Sequence, residues 1–172
     1  AGTVSVKRFW VHDGEDWVIE GDGNGNLREV VTHGPGIDEP LELSIRSDLI
    51  PVFTAGPGAP LASATVFQDF YPLTDALGSV LGLVDETGAL VQTYAYDSFG
   101  NLLEESGGIP NDYTYTGREL DRRSGMMYYR NRWYDPNTGR FGSEDPISSG
   151  PEASSLYAYA ADNPAVLTDP YG

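Results

Sequence analysis

The chain has 172 residues, enough to bury a core, and its 21 glycines, 12 prolines and 11 tyrosines exclude a helical bundle. Its formal net charge of −16 repels phosphate backbones and anionic lipid, so we expect no nucleic-acid partner and no binding to an anionic membrane surface. It has no cysteine for disulfides or thiolate zinc, and no apolar run of the roughly 18 residues that predict a membrane span.

The first part of the chain predicts short strands separated by turns. Residues 9–13, 16–20 and 27–32 are alternating or rich in aromatic residues, and turn-forming residues separate them. Residues 51–64 contain Gly and Pro without a periodic pattern, which predicts a loop, and residues 67–71 resume strand character.

A similar order of residues returns twice further along the chain. In residues 81–103, and again in residues 113–139, an aromatic-bearing strand ends at Asp, a glycine turn follows, and another strand begins. Within the second copy, residues 126–134 predict one strand and residues 135–139 a hairpin turn. Units of this kind bury both faces only by stacking edge to edge. We therefore predict a mainly β fold: stacked antiparallel hairpins in a strip or curled sheet, with one short helix at residues 153–160.

The positive charge is concentrated in one part of the sequence. Residues 118–140 hold three acidic residues and six of the ten basic ones. The basic residues are Arg118, Arg122, Arg123, Arg130, Arg132 and Arg140. Because guanidinium groups pair with carboxylates and stack on aromatic rings, we expect this block to meet carboxylates elsewhere in the fold or assembly. A solvated basic face is the alternative.

Several motifs contain residues that could bind a metal or catalyse a reaction. Residues 22–26 have the oxygen density of a calcium loop but lack the full ligand pattern, which favours a hairpin turn. The two histidines have no spacing typical of a metal site or a triad, so we expect neither metal nor cofactor. Two Asp-Pro pairs, beginning at Asp145 and Asp169, remain. If the fold brings them together, two carboxylates can share a proton and activate water, with Arg140 orienting them; on spacing alone they are two turns.

From residue 70 onward the sequence resembles the RHS-repeat-associated core domain of the RHS/YD-repeat family. The matching stretches are residues 74–80 (TDALGSV), 84–88 (VDETG), 94–100 (YAYDSFG), 115–121 (YTGRELD), 132–141 (RWYDPNTGRF), 156–159 (LYAY), 162–164 (DNP) and 169–172 (DPYG). This resemblance predicts a core domain over residues 70–172, preceded by degenerate YD-repeat strands over residues 1–69.

The resemblance also implies a function. Members of this family form a hollow β shell whose core domain closes one end, with a variable toxin beyond it. The core acts as an aspartyl self-protease that cuts just after the final Asp-Pro-x-Gly, here after Gly172, at most once per molecule. Carried over by position, Asp145 and Asp169 form the acid pair and Arg140 supports them. Ser148 stands where the family has the glycine of its first Asp-Pro-x-Gly.

The partners implied by the resemblance are the rest of the shell or the C-terminal effector of the same precursor. A secreted or cell-surface location in a bacterium or archaeon follows from it. Because the chain stops at Gly172, we expect a processed product, a trimmed piece or a shell part whose effector lies elsewhere. The alternative function is a non-enzymatic surface or fibre subunit, in which sheet edges join identical subunits by strand addition.

Overall fold

A computed structural model describes residues 8–14, 16–49, 66–147 and 156–172. Over these residues the regular structure is almost entirely β, and helices are limited to 3-10 turns at Ser47–Leu49, Tyr115–Gly117 and Ala160–Asp162. The prediction of a mainly β fold is confirmed. The predicted loop at residues 51–64 lies outside the described residues, as does the first part of the predicted helix at residues 153–160. Its described part is a turn that leads into Ala160–Asp162.

Eight strands follow one another in chain order in one sheet. They are β1 (Arg8–Asp13), β2 (Asp16–Asp22), β3 (Leu27–His33), β4 (Pro40–Arg46), β5 (Phe67–Thr74), β6 (Val80–Asp85), β7 (Leu90–Tyr96) and β8 (Leu102–Ser106). Strands β1 to β5 pair antiparallel in succession, and β7 pairs antiparallel with β8. The predicted succession of antiparallel hairpins is therefore confirmed.

A second, four-stranded sheet has the order β12-β11-β10-β9. It consists of β9 (Glu119–Asp121), β10 (Met126–Tyr129), β11 (Arg132–Asp135) and β12 (Arg140–Phe141). The single strand predicted for residues 126–134 is wrong, because the chain reverses within it: Tyr129 pairs directly with Arg132. Arg130 takes a left-handed φ of 57° to make this reversal.

By compactness the chain divides into two units. The first comprises Ala1–Pro72, Leu83–Gln92 and Gly107–Pro110, and the second comprises Leu73–Gly82, Thr93–Ser106 and Asn111–Gly172. Buried residues of the first unit include Trp17, Val31, Leu43, Ile45 and Phe70. The second unit has a cluster of buried residues that is mostly aromatic: Tyr115, Met127, Tyr129, Tyr134, Phe141, Tyr159 and Ala160.

Four of the described hairpin turns share one hydrogen-bond pattern. They begin at Asp22, Asp75, Asp85 and Asp97. In the turn at Asp85, the carboxylate Oδ1 accepts the N–H groups of Thr87 at 2.9 Å and Ala89 at 3.0 Å. The N–H of Gly88 donates to the Asp85 carbonyl at 2.9 Å, and Gly88 has a φ of 81°. This local bonding explains why Asp followed by Gly marks each reversal. The turn predicted at residues 22–26 is confirmed.

Replacing Asp85 by asparagine should destabilise the protein at neutral pH and much less in acid. The hydrogen bond from the Thr87 hydroxyl, followed by the backbone bonds, lowers the pKa of Asp85 below its ordinary value. A depressed pKa in the folded state stabilises the protein above the ordinary value, and this stabilisation is lost as the pH falls through the folded value. Urea midpoints at about pH 7 and about pH 2 measure the difference, which should shrink in acid. Glu86→Gln, which removes a charge from the same turn, is the control and should change the urea midpoint at about pH 7 much less than Asp85→Asn does.

Candidate functional site

Aromatic rings in the second unit surround Tyr159, which is buried. The ring centroid of Tyr159 lies 4.4 Å from that of Tyr134, 5.3 Å from that of Tyr129 and 5.7 Å from that of Phe141. The Tyr129 hydroxyl donates to the Tyr159 hydroxyl at 3.1 Å and shares a 2.7 Å hydrogen bond with the Thr116 hydroxyl. Burial raises the pKa of Tyr129 well above its ordinary value, so the phenol stays protonated. These tyrosines therefore pack against one another in the core of the second unit.

Arg132 lies on the buried side of β11 at the edge of this cluster. Along β11, Arg132 and Tyr134 are buried while Trp133 between them is exposed, as the period of two in a strand requires. The guanidinium carbon of Arg132 lies 3.7 Å from the centre of the Phe141 ring, and the residue is only 4 % exposed. A buried cation of this kind is stable only with anionic partners.

Two carboxylates supply that charge. The Nη2 of Arg132 lies 3.3 Å from Oδ2 of Asp169 and 3.8 Å from Oδ2 of Asp145. The other oxygen of each carboxylate accepts a backbone N–H: Ile147 donates to Asp145 at 2.8 Å, and Gly172 donates to Asp169 at 3.1 Å. The fold thus brings both predicted acids to one nitrogen, although they are far apart in sequence. Both side chains keep about a third of their surface exposed, so water can reach them.

Arg140, the arginine predicted to support the acids, lies in β12 opposite Asp135, and its residue is exposed. Its role there remains a prediction. The arginine between the two carboxylates is Arg132, which was not among the predicted site residues. The sequence signal that pointed to it was the cluster of arginines, which was predicted to pair with carboxylates. This pairing is confirmed at Arg132 and at Arg122, whose Nη2 lies 2.9 Å from Oε1 of Glu105.

The backbone of residues 169–172, here called the terminal segment, is held by several hydrogen bonds. The carbonyl of Pro170 accepts bonds from Arg118 Nη2 and from Arg130 Nη1, the latter at 2.7 Å. The carbonyl of Tyr171 accepts Asn131 Nδ2 at 2.9 Å and the Asn131 backbone N–H at 3.4 Å. The turn at Arg130 and Asn131, where the strand prediction failed, therefore holds the terminal segment.

Gly172 cannot be exchanged for a larger residue without displacement. Its φ is 66°, and a Cβ at this position would lie 2.2 Å from the Tyr129 carbonyl oxygen and 2.9 Å from the Tyr129 Cβ. Both the backbone angle and the close approach to β10 therefore require glycine here. The predicted cut lies directly after this residue.

Within the described ranges, no group of three or more His, Cys, Asp or Glu residues is arranged to hold a metal ion. Across the same ranges, no helix has the length and apolar character that crossing a membrane requires.

Comparison with known proteins agrees with this architecture. Residues 62–165 match the family model described as Teneurin YD-shell. The chain is 31% identical over 157 residues to the tRNA3(Ser)-specific nuclease WapA of Bacillus spizizenii, covering 87% of this chain and 7% of that protein. It is 35% identical over 99 residues to the toxin protein Tse5 of Pseudomonas aeruginosa, covering 58% of this chain and 7% of that one. The chain thus spans a small fraction of the length of these relatives.

Among solved structures, a crystal structure of TcdB2-TccC3-Cdc42 has a similar fold, with a TM-score of 0.66 and 20% identity over 90% of this chain and 7% of that one. The likeness to that structure shows the fold. The matched family model covers more than half of the chain and includes β5 to β8 of the first sheet and all four strands of the second. The chain therefore belongs to the Teneurin YD-shell family and is an RHS/YD-repeat domain.

Proposed function

We propose that this chain is the closing segment of an RHS shell that encloses a C-terminal toxin and releases it by cutting its own backbone just after Gly172. One observation carries the proposal. A single guanidinium nitrogen joins Asp145 and Asp169, while the N–H of Gly172 donates to the Asp169 carboxylate. The residue that precedes the predicted cut thus lies at the acid pair that would make it.

The proposed reaction is hydrolysis of one peptide bond. One carboxylate of the pair takes a proton from a water molecule, whose oxygen then bonds to the carbonyl carbon of Gly172. The other carboxyl group, protonated at the start, gives its proton to the leaving nitrogen as the C–N bond breaks. One water is consumed, and the products are a Gly172 carboxylate and a new amino terminus.

Arg132 would hold the two acids in place during this reaction. It pairs with one oxygen of each carboxyl group, so it fixes their separation and stabilises the carboxylate that acts as base. Its stacking on Phe141 fixes the direction of the guanidinium. Positioning of this kind contributes to catalysis by limiting the geometries that the reacting groups can take.

The names of two relatives support the toxin in this proposal. One is a tRNA nuclease and the other a toxin protein, and this chain matches only 7% of each. In the proposed precursor the effector follows Gly172, and the whole protein is secreted or exposed at the cell surface. The remaining shell and the effector are then its partners.

A precursor with a reporter domain after Gly172 tests the proposal. The intact mass should show a cut after Gly172 in the wild type, whereas Asp145→Asn and Asp169→Asn should leave the precursor whole. These substitutions keep the shape of the side chain but remove the acid. Asp162→Asn, a matched change at an exposed aspartate of the same unit, should be cut normally. A normal cut in Asp145→Asn would contradict the acid pair.

A second candidate is an assembly subunit that joins identical copies by strand addition. It is favoured by β1, an edge strand of the eight-stranded sheet, in which Phe9, Trp10 and Val11 are 37%, 51% and 44% exposed. An uncut wild-type precursor, together with self-association that is lost in Trp10→Lys, would favour this function over self-cleavage.

A further inference from the structure

Three residues outside the acid pair converge on the backbone of the terminal segment. Arg118 and Arg130 both donate to the carbonyl of Pro170, and Asn131 donates twice to the carbonyl of Tyr171. We call Arg118, Arg130 and Asn131 the carbonyl cradle. Two charged donors thus fill both acceptor positions of a single peptide carbonyl, and hydrogen bonds from charged donors are stronger than those from neutral ones.

The cradle is built on rigid supports. Arg118 is 2% exposed, and its guanidinium carbon lies 4.7 Å from the centre of the Tyr129 ring. Arg130 and Asn131 form the tight turn between β10 and β11, which is fixed by the pairing of Tyr129 with Arg132. The same turn leads directly into Arg132, which holds both acids. One hairpin therefore fixes the spacing between two members of the cradle, Arg130 and Asn131, and the arginine that holds the acid pair.

We infer that the carbonyl cradle is a positioning device that sets which peptide bond lies at the acid pair. This inference rests on the proposed self-cleavage. By binding the carbonyls of Pro170 and Tyr171, the cradle fixes the two peptide units before Gly172 and so places the Gly172 carbonyl carbon in one register. A shift of the chain by one residue would break these bonds and bring a side chain against the Tyr129 carbonyl, where only glycine fits.

The cradle recognises the main chain and not the side chain between Pro170 and Gly172. Tyr171 is 55% exposed, and its backbone carbonyl is the group that Asn131 binds. The inference therefore predicts that the residue at position 171 can change freely, whereas the donors that bind its carbonyl cannot.

The test uses the same reporter precursor and follows the rate of the cut by intact mass. Arg130→Ala and Asn131→Asp should each slow the cut by about tenfold or more, because each loses a hydrogen bond and the second also places a carboxylate against a carbonyl. Arg123→Ala and Tyr171→Ser are controls and should be cut at the wild-type rate. Arg123 is an exposed arginine on the turn between β9 and β10.

Rescue by a small guanidinium compound distinguishes a positioning role of Arg130 from a purely structural one. Added methylguanidinium should restore part of the rate of Arg130→Ala, whose side-chain site is partly exposed, and should not change the rate of Asn131→Asp. Hydrogen exchange of β9 to β12 should be the same in wild type and variants, which shows that the sheet is intact.

The outcomes separate the two proposals. If the wild type is cut and the cradle variants are cut equally fast, the cradle inference is overturned while self-cleavage stands. If the wild type is never cut, self-cleavage fails and the role of the cradle fails with it. Slower cutting with rescue supports both.

Discussion

Replacing Arg132 by methionine should lower the free energy of unfolding by about 3 kcal/mol, near the lower end of the range for breaking a buried ion pair. The lower end is expected because Asp145 and Asp169 are about a third exposed and water compensates part of the loss. Because methionine preserves contact with the Phe141 ring, the decrease in the free energy of unfolding reflects the loss of the guanidinium charge and not the loss of packing. Denaturant unfolding of the 172-residue protein measures the change.

The interaction between Arg132 and its acids can be isolated with a double-mutant cycle. In a protein that already carries Asp145→Asn and Asp169→Asn, the same Arg132→Met change should cost much less, because the guanidinium no longer has anionic partners. Arg132→Lys should be intermediate, since a lysine keeps the charge but cannot bind both carboxyl groups and stack on the ring. Equal costs of Arg132→Met in the two backgrounds would show that the residue acts through packing alone.

Replacing Tyr159 by alanine should cost about 3–5 kcal/mol, the usual loss for a large aromatic residue in a core. Tyr159 is 1% exposed, and its ring contacts those of Tyr129, Tyr134 and Phe141. Its removal would leave a cavity at the centre of the aromatic cluster. Urea unfolding gives the energy, and near-ultraviolet circular dichroism shows whether the remaining rings keep a fixed arrangement.

The matched variant is Tyr159→Phe, which keeps the ring and removes only the hydroxyl that accepts a bond from Tyr129. We expect a cost of about 1 kcal/mol for the loss of this hydroxyl. If alanine at position 159 costs no more than phenylalanine, the ring contacts are not what stabilises the second unit.

Most of the strands and turns could be predicted because their causes are local. Alternation with a period of two identifies a strand within a few residues, and an aspartate followed by glycine closes the reversal with its own carboxylate, as at Asp85 and Gly88. The strands near residues 9–32 and 81–103 were predicted for these reasons.

The turn at Arg130 and Asn131 could not be predicted from the local sequence pattern. The alternation of aromatics and arginines continues through it, and it has neither glycine nor proline, so the sequence predicts an unbroken strand. The left-handed φ at Arg130 is supported by the pairing of Tyr129 with Arg132 and by the contacts of both turn residues with the terminal segment. Those contacts join residues 40 positions apart, which no local pattern reveals.

The candidate site was predicted in part. Asp145 and Asp169 were identified through the family resemblance, and the fold brings both to Arg132. Which arginine lies between them could not be predicted, because Arg132 and Asp169 are 37 positions apart. Six arginines within residues 118–140 were equally plausible on charge alone.

The aspartate turns have a consequence for how such a protein can evolve. In each turn, a single aspartate carboxylate accepts hydrogen bonds from backbone N–H groups of the same five-residue turn. These bonds that close the turn therefore do not depend on the neighbouring hairpins. A gene could therefore gain or lose a hairpin by duplication or deletion without disturbing the reversals on either side. The number of strands in the sheet could then change in small steps while the individual hairpins stay the same.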